Sequence, residues 1–197
     1  MFKKIILAAL VVASAVYAQI NVGGRAAVNF GTLWGEKNEI DWGLGFNAGV
    51  NAKIGINEKL SFIPGLEIDL RRVSGEGYDY DSYTPIKVDI TMAMWYLDVP
   101  LALRYSVNPQ FFVDAGLYLG VLLSGEETDE AMGMSVSHDM GDYMESIDLG
   151  LLVGVGYNVM PNLDVNFRFA LGLTETFDGG KGTKNMRLQL GATYWFM

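Results

Sequence analysis

The stretch from Asp41 to Ile56, DWGLGFNAGVNAKIGI, alternates apolar residues with polar residues or glycine without a break. Because successive side chains of an extended chain point to opposite faces, this pattern predicts a β-strand. Strands of soluble domains run about 5 to 6 residues, whereas a tilted strand that crosses a bilayer needs about 9 to 11. The length of the stretch therefore favours a membrane-spanning strand.

Seven further segments repeat the alternation and are separated by runs rich in Gly, Asn, Pro and Asp. Together they predict eight strands, over residues 20–30, 41–56, 60–70, 95–105, 111–123, 147–159, 163–173 and 186–196. Their apolar faces contain no Asp, Glu, Lys or Arg. Short and long connections alternate, as in a transmembrane barrel with short periplasmic turns and longer outer loops. We predict an all-β fold: an eight-stranded antiparallel up-and-down transmembrane β-barrel with a polar, side-chain-filled interior.

The polar faces of these strands carry as many positive as negative side chains. They are Arg25, Lys53, Arg71, Arg104, Arg168 and Arg187 against Glu67, Asp69, Asp98, Asp114, Asp148 and Asp164. Charges removed from bulk water need partners, and the planar fork of arginine suits bidentate pairing with carboxylates. The balance predicts a structural charge network in an enclosed lumen. The alternative is a soluble lipocalin-like barrel, in which these charges face solvent and the apolar faces line the interior.

The amino-terminal segment has the features of a secretory signal peptide. Lys3 and Lys4 precede an apolar run, and Val16 and Ala18 occupy the minus-three and minus-one positions of a cleavage site before Gln19. We expect a signal peptide over residues 1–18 and one outer-membrane β-barrel domain over residues 19–197. The chain contains no cysteine, so it offers neither a disulfide framework nor a thiolate metal site.

Several short motifs resemble the PorT-like family of bacterial outer-membrane β-barrels. They are Tyr96-Leu97-Asp98-Val99-Pro100-Leu101, the following GLYLGVLLSG, Asp148-Leu149-Gly150 with Gly154-Val155-Gly156-Tyr157, and the closing Tyr194-Trp195-Phe196. The resemblance implies a small eight-stranded barrel in the bacterial outer membrane, with an assembly signature at Tyr194 and Phe196 that the barrel-assembly machinery reads during insertion. The chain departs from the family at its end, where Met197 follows the aromatic residue.

Pro100 lies inside the fourth predicted strand, in a barrel that has no free edge. Because proline cannot donate a ladder hydrogen bond, we expect a β-bulge at this position.

The predicted third outer loop is strongly acidic. It holds Glu126, Glu127, Asp129, Glu130, Asp139, Asp142 and Glu145 without one Lys or Arg. Oxygen-rich loops can bind divalent cations such as Ca²⁺ or Mg²⁺, and such ions would bridge the loop to lipopolysaccharide phosphates. A merely solvated acidic surface is the alternative. The sequence disfavours nucleic-acid binding, because phosphate contacts need a basic surface.

These features favour a non-enzymatic outer-membrane barrel that contacts envelope lipid and extracellular partners through its acidic loops. We expect a monomer without catalytic, cofactor-binding or metal-ligating residues. The single histidine, His138, supports a second hypothesis, a lipid-modifying enzyme in which it acts with a serine or carboxylate such as Ser137 or Asp139. Sequence neighbours seldom form a triad, however. A third hypothesis is a soluble periplasmic binder of apolar ligands.

Overall fold

The computed structural model describes residues 20–35, 41–79, 86–131, 134–178 and 182–196. The predicted signal peptide, residues 1–18, lies outside these ranges. The described residues form one short 3-10 helix, Gly141–Tyr143, and nine strands: β1 Ile20–Trp34, β2 Asp41–Gly55, β3 Leu60–Asp79, β4 Ile86–Ser106, β5 Phe111–Ala131, β6 Met134–Asp139, β7 Ile147–Met160, β8 Leu163–Gly172 and β9 Lys184–Phe196. No helix in the described part of the chain is long and apolar enough to cross a membrane.

Eight of the nine described strands close into a ring. They follow the order β4-β3-β2-β1-β9-β8-β7-β5, and β4 also pairs with β5, which completes the ring. Every pairing between the described strands is antiparallel, and the first and last of them, β1 and β9, meet along the register from Val22–Phe196 to Trp34–Lys184. The predicted fold is confirmed: the protein is an eight-stranded antiparallel up-and-down β-barrel.

The strands on one side of the barrel extend well beyond the lengths that alternation predicted. β3 continues to Asp79, β4 begins at Ile86 and β5 continues to Ala131, so much of the sequence assigned to long loops is paired strand. β6 then returns along the outer part of β5. All six side chains of β6 are exposed, so burial does not impose on this short strand the long alternation of the membrane-facing strands.

The apolar faces of the strands point outward. Leu44, Leu101 and Phe167 are 56%, 41% and 45% exposed, whereas Arg25 and Arg104 are 3% and 2% exposed. A soluble barrel with an apolar interior requires the opposite arrangement. The lipocalin-like alternative, and with it the periplasmic binder of apolar ligands, is therefore wrong.

Aromatic rings mark both ends of the apolar wall. At the end with the short turns, Phe111 and Tyr157 contact edge to face at 4.9 Å between ring centroids, as do Tyr194 and Phe196 at 5.7 Å. At the end with the long connections, Phe46 and Trp95 make the same contact at 5.7 Å. Amphipathic rings favour the two membrane interfaces, so these rings delimit the part of the wall that faces lipid.

The predicted bulge at Pro100 is wrong. Pro100 pairs with Tyr118 of β5 without a register shift, and the β3–β4 pairs on either side, Pro64–Leu101 and Glu67–Asp98, share one register. Loss of one donor therefore weakens the ladder locally without adding a residue. The actual shift lies farther out, between Trp95 and Tyr96.

Candidate functional site: the charged interior of the barrel

The inward positions of the strands bring ionised side chains from the whole ring together. Of the twelve side chains assigned to the lumen charge network, eleven are at most 4% exposed: Arg25, Glu67, Asp69, Arg71, Asp98, Arg104, Asp114, Asp148, Asp164, Arg168 and Arg187. Each of these eleven lies within 4.0 Å of an oppositely charged partner. Lys53 is half-buried and has no ion pair among the described residues.

The charge network contains two clusters, and the first, near the outer end of the barrel, centres on Arg71. Its Nε atom lies 3.0 Å from Asp69, and its two terminal nitrogens lie 2.6 Å from Asp98 and 2.5 Å from Asp148. The guanidinium also stacks on the Tyr96 ring, 3.7 Å from the ring centroid. One arginine therefore ties together strands β3, β4 and β7, from opposite sides of the ring.

Arg187 of β9 joins the same cluster. Its terminal nitrogen lies 2.6 Å from Asp69 and 3.1 Å from Asp98, and its guanidinium packs against the Tyr118 ring. Neutral side chains take the remaining carboxylate lone pairs: the Tyr118 hydroxyl donates to Asp148 at 3.0 Å, and the Asn29 amide donates to Asp69 at 2.6 Å. Hydrogen bonds of this kind are what keep buried carboxylates charged at acceptable cost.

A second cluster lies near the turn end of the barrel and centres on Arg104. Its fork pairs with both oxygens of Asp114, at 2.8 and 3.0 Å, and its other terminal nitrogen lies 2.7 Å from Asp164. The guanidinium stacks on the Phe112 ring at 3.5 Å, and the Trp195 indole donates to Asp164 at 2.8 Å. This is the planar, bidentate recognition for which arginine is suited and lysine is not.

Glu67 links two arginines between these clusters. Its carboxylate lies 3.1 Å from Arg25 and 3.5 Å from Arg168, and Arg168 lies a further 3.7 Å from Asp114. Arg25 also donates to the Asn47 amide oxygen at 2.7 Å. The ion pairs therefore run from one end of the barrel interior to the other.

Glycines on the inward face make room for the large side chains. A Cβ atom at Gly156 would overlap the Phe112 ring, and one at Gly150 would overlap the Tyr118 ring. Alternation of small and large inward residues is how a narrow barrel fills its interior. The glycine content of the polar faces thus reflects close packing inside the ring.

An apolar layer covers the outer end of the interior, and the sequence analysis missed it. Leu33, Val73, Met94, Tyr96 and Met144 form a buried cluster, with Met92, Leu122, Met140 and Phe177 packed against it. Met144 reaches this position because the segment after β6 turns inward through the 3-10 helix. It forms a bridge with Phe177, and the amides of Glu145 and Asp178 donate to the carbonyls of Thr176 and Tyr143.

Two open cavities lie at opposite ends of the barrel. The one at the turn end, about 290 Å³, is lined by Lys53, Pro109, Asn158, Val159, Met160, Pro161 and Trp195. The other, about 320 Å³, lies where β4, β5 and β6 meet; Trp95, Glu126, Ser137, His138 and Asp139 are among its lining residues.

His138 lies on β6 opposite Glu127 of β5. Because side chains alternate along a strand, Ser137 and Asp139 point to the other face of β6 from His138. Ser137 instead contacts Thr128, at 2.9 Å between their hydroxyl oxygens. Sequence neighbours on β6 therefore do not form a catalytic triad.

The acidic side chains of the outer end do not form a preformed metal centre in the described ranges, where no group of three or more His, Cys, Asp or Glu could hold a metal ion. Tyr194 and Phe196, the residues of the assembly signature, point to the outside of the barrel and are 49% and 55% exposed.

An apolar wall around an ionised interior defines an integral β-barrel membrane protein. The sequence matches the family model described as outer membrane protein beta-barrel domain over residues 14–178. The chain therefore belongs to this family, and it is a protein of the bacterial outer membrane. No curated protein sequence matches the chain.

Solved structures of proteins from several bacteria are similar to this chain. Ail, the attachment invasion locus protein of Yersinia pestis, superposes with a TM-score of 0.53 and 16% identity, over 89% of this chain and 98% of Ail. Neisserial surface protein A has a TM-score of 0.48 and 19% identity, over 89% of this chain and 97% of its own. The outer membrane protease OmpT of Escherichia coli has a TM-score of 0.44 and 11% identity, over 90% of this chain and 95% of its own. The likeness at these identities concerns the fold alone.

Proposed function

We propose that this protein is a non-enzymatic outer-membrane barrel that acts through its acidic outer end and whose interior is closed to solutes. The observation that carries the closed interior is the burial of eleven ionised inward side chains, each at most 4% exposed and each ion-paired. An eight-stranded barrel has an interior just wide enough for side chains to fill. Ion pairs along the axis, together with the apolar layer under the outer segments, support a barrel without an open pore.

The outer end is the surface that we propose to make contacts. The β5–β6 hairpin carries Glu126, Glu127, Asp129, Glu130 and Asp139 above the membrane-facing wall and holds no Lys or Arg. This surface would meet lipopolysaccharide phosphates only through divalent cations, which would take some of their oxygen ligands from the lipid. We propose the envelope lipid and extracellular proteins as its partners, and a monomer as the working unit.

Reconstitution in planar bilayers tests the closed interior. We expect no stable conductance from the folded protein, because no file of water crosses a lumen filled by paired arginines and carboxylates. A general porin reconstituted in parallel serves as the positive control. A stable, wide conductance would contradict the proposal.

The absence of catalysis is also a proposal, and strand geometry supports it. His138 is separated from Ser137 and Asp139 by the alternation of β6 and faces Glu127 in the paired strand. We expect purified, folded protein to leave the acylation of lipid A unchanged in a mass-spectrometric assay. Lipid A modification that the His138→Ala variant abolishes would instead establish the lipid-modifying enzyme.

We further propose that the chain is a PorT-like member of this family and that its terminal aromatic residues are read by the barrel-assembly machinery. The outward placement of Tyr194 and Phe196 supports this, since an unassembled β9 would present both rings on one face. The Phe196→Ala variant should then accumulate less in the outer membrane than a Val22→Ala variant of the paired position on β1. Equal levels of the two variants would refute the signature.

A further inference from the structure

The outer rim of the barrel carries an edge strand. Within the described ranges, β6 pairs with β5 on one side only, and its other edge has no strand partner. All six of its side chains are exposed, including Met134 at 70% and Val136 at 54%. An exposed edge presents free backbone donors and acceptors to another extended chain, and strand addition is a recurring mode of peptide recognition.

The two faces of this edge differ in chemistry. Met134, Val136 and His138 lie on one face of β6, and Ser135, Ser137 and Asp139 lie on the other. On the second face, Asp139 lies directly opposite Glu126 of β5. One oxygen of Asp139 accepts from the Gly141 amide at 2.9 Å. Like charges at directly opposed positions destabilise a strand pair, so this pair favours a cation from elsewhere.

A cleft of about 320 Å³ lies beside this carboxylate pair. Trp95 and Ala93 of β4 contribute apolar surface to it, and Glu126 and Asp139 contribute the carboxylates. An aromatic ring beside two carboxylates suits the aliphatic stem and charged head of a lysine or arginine.

On the neighbouring strands β3 and β4, a lysine already lies between two carboxylates. The Lys87 ammonium on β4 lies 2.7 Å from Glu76 and 3.3 Å from Asp89, on the same outward face of the extension. Hydrogen bonds to Glu76 and Asp89 raise the pKa of Lys87 above its ordinary value. Glu126 and Asp139 have no such ammonium among the described residues.

We propose that the free edge of β6 binds an extended, cationic segment of an extracellular protein, with one of its Lys or Arg side chains in the cleft beside Trp95. The segment would alternate basic and apolar residues, because one face meets Asp139 and Glu126 and the other meets Met134 and Val136. A second copy of this chain fits poorly, since its net charge is −9 and its β6 carries the same acidic face. The inference rests on the proposed role of the outer end in contacts.

A short peptide that alternates Lys and Val is the probe. Its binding to the full-length protein in zwitterionic micelles is measured by isothermal titration calorimetry. We expect the Glu126→Gln, Asp139→Asn double variant to bind about tenfold more weakly, which corresponds to two ion pairs of about 0.7 kcal/mol each. The matched control is Asp41→Asn with Asp178→Asn, which removes the same charge from the outer side at positions that neither belong to β6 nor line the cleft. The control should change affinity less than about twofold.

Backbone pairing is tested with peptides that are N-methylated at alternate amides, in the two possible phases. Strand addition uses every second amide of the added strand, so one methylated peptide should lose binding and the other should keep it. Equal affinity of both methylated peptides, equal losses in the two double variants, or no binding of the Lys/Val peptide would each overturn the inference. None of these results bears on conductance, so they are distinct from a failure of the closed-interior proposal.

Discussion

Single arginines, rather than pairs of residues, determine how the interior of this barrel is held together. Arg71 contacts carboxylates from three strands, and Arg104 contacts carboxylates from two. A guanidinium offers five donors in one plane, so it can serve several carboxylates at once. Removal of Arg71 therefore leaves Asp148 without an ionic partner, and Asp69 and Asp98 with Arg187 alone.

The Arg71→Met variant tests this at one position. Loss of the guanidinium leaves Asp69, Asp98 and Asp148 with one cation fewer in a buried site, so the free energy of unfolding should fall by about 3–5 kcal/mol. Urea titration of the folded protein in micelles, followed by heat-modifiable gel migration, measures the change.

Lys87→Met is the matched control, because it breaks an ion pair whose partners are about half exposed. Water solvates those charges, so the unfolding curve should not move measurably. Similar losses in the two variants would show that Arg71 is no more important than a surface pair.

At the scale of elements, inward-facing glycines allow a large ring from a neighbouring strand to lie directly against the backbone. The Phe112 ring fills the space that a side chain on Gly156 would need, whereas a Cβ atom at Gly24 would meet only the edge of Phe196, at 3.4 Å. Gly156→Val should therefore destabilise the barrel by about 1–3 kcal/mol through overpacking. Gly24→Ala should change the urea midpoint little, and equal shifts would argue against the packing account.

Two segments, residues 140–146 and 174–178, lie over the outer end of the interior. We expect the apolar contacts of Met144 and Phe177 to hold them there. Alanine at both positions removes apolar contacts in the buried cluster, so the backbone hydrogen bonds of Glu145 and Asp178 should open more often. Hydrogen exchange measured by mass spectrometry should speed up in residues 140–146 and 174–178 and stay unchanged in β8. Unchanged exchange in both segments would mean that the apolar layer does not hold them.

The alternation of apolar and polar residues predicts the strands correctly wherever lipid lies on one side of a strand. Leu101 and Phe167 had to point away from Asp98 and Arg168, so sequence alone predicted which face each side chain occupies. The prediction fails beyond the bilayer, where β6 is exposed on both faces and Leu33, Val73 and Met94 turn an inward face apolar. Nor could sequence show which carboxylates Arg71 contacts, because those distances depend on closure of the whole ring.

For the whole molecule, the outward apolar wall determines where charge is tolerated. Phe167→Arg places a cation on the lipid side of β8, so it should cost about 2–4 kcal/mol of folding free energy in a bilayer. Val107→Arg, in the turn between β4 and β5, should cost about 0–1 kcal/mol, because the turn lies near the interface. Denaturant titration in lipid vesicles measures both changes in folding free energy, and equal costs for the two variants would contradict the assigned orientation.

Site-directed spin labelling tests the orientation of the wall most directly, since the chain has no cysteine that would need to be removed. Single cysteines at Leu44, Phe46, Ala48 and Val50 of β2, labelled with a nitroxide in lipid vesicles, are compared with labels at Asn47 and Asn51. The account predicts high accessibility to oxygen and low accessibility to a water-soluble nickel complex at the first set, and immobile labels shielded from both reagents at the second. High accessibility to the nickel complex at Leu44, Phe46, Ala48 and Val50 would contradict it.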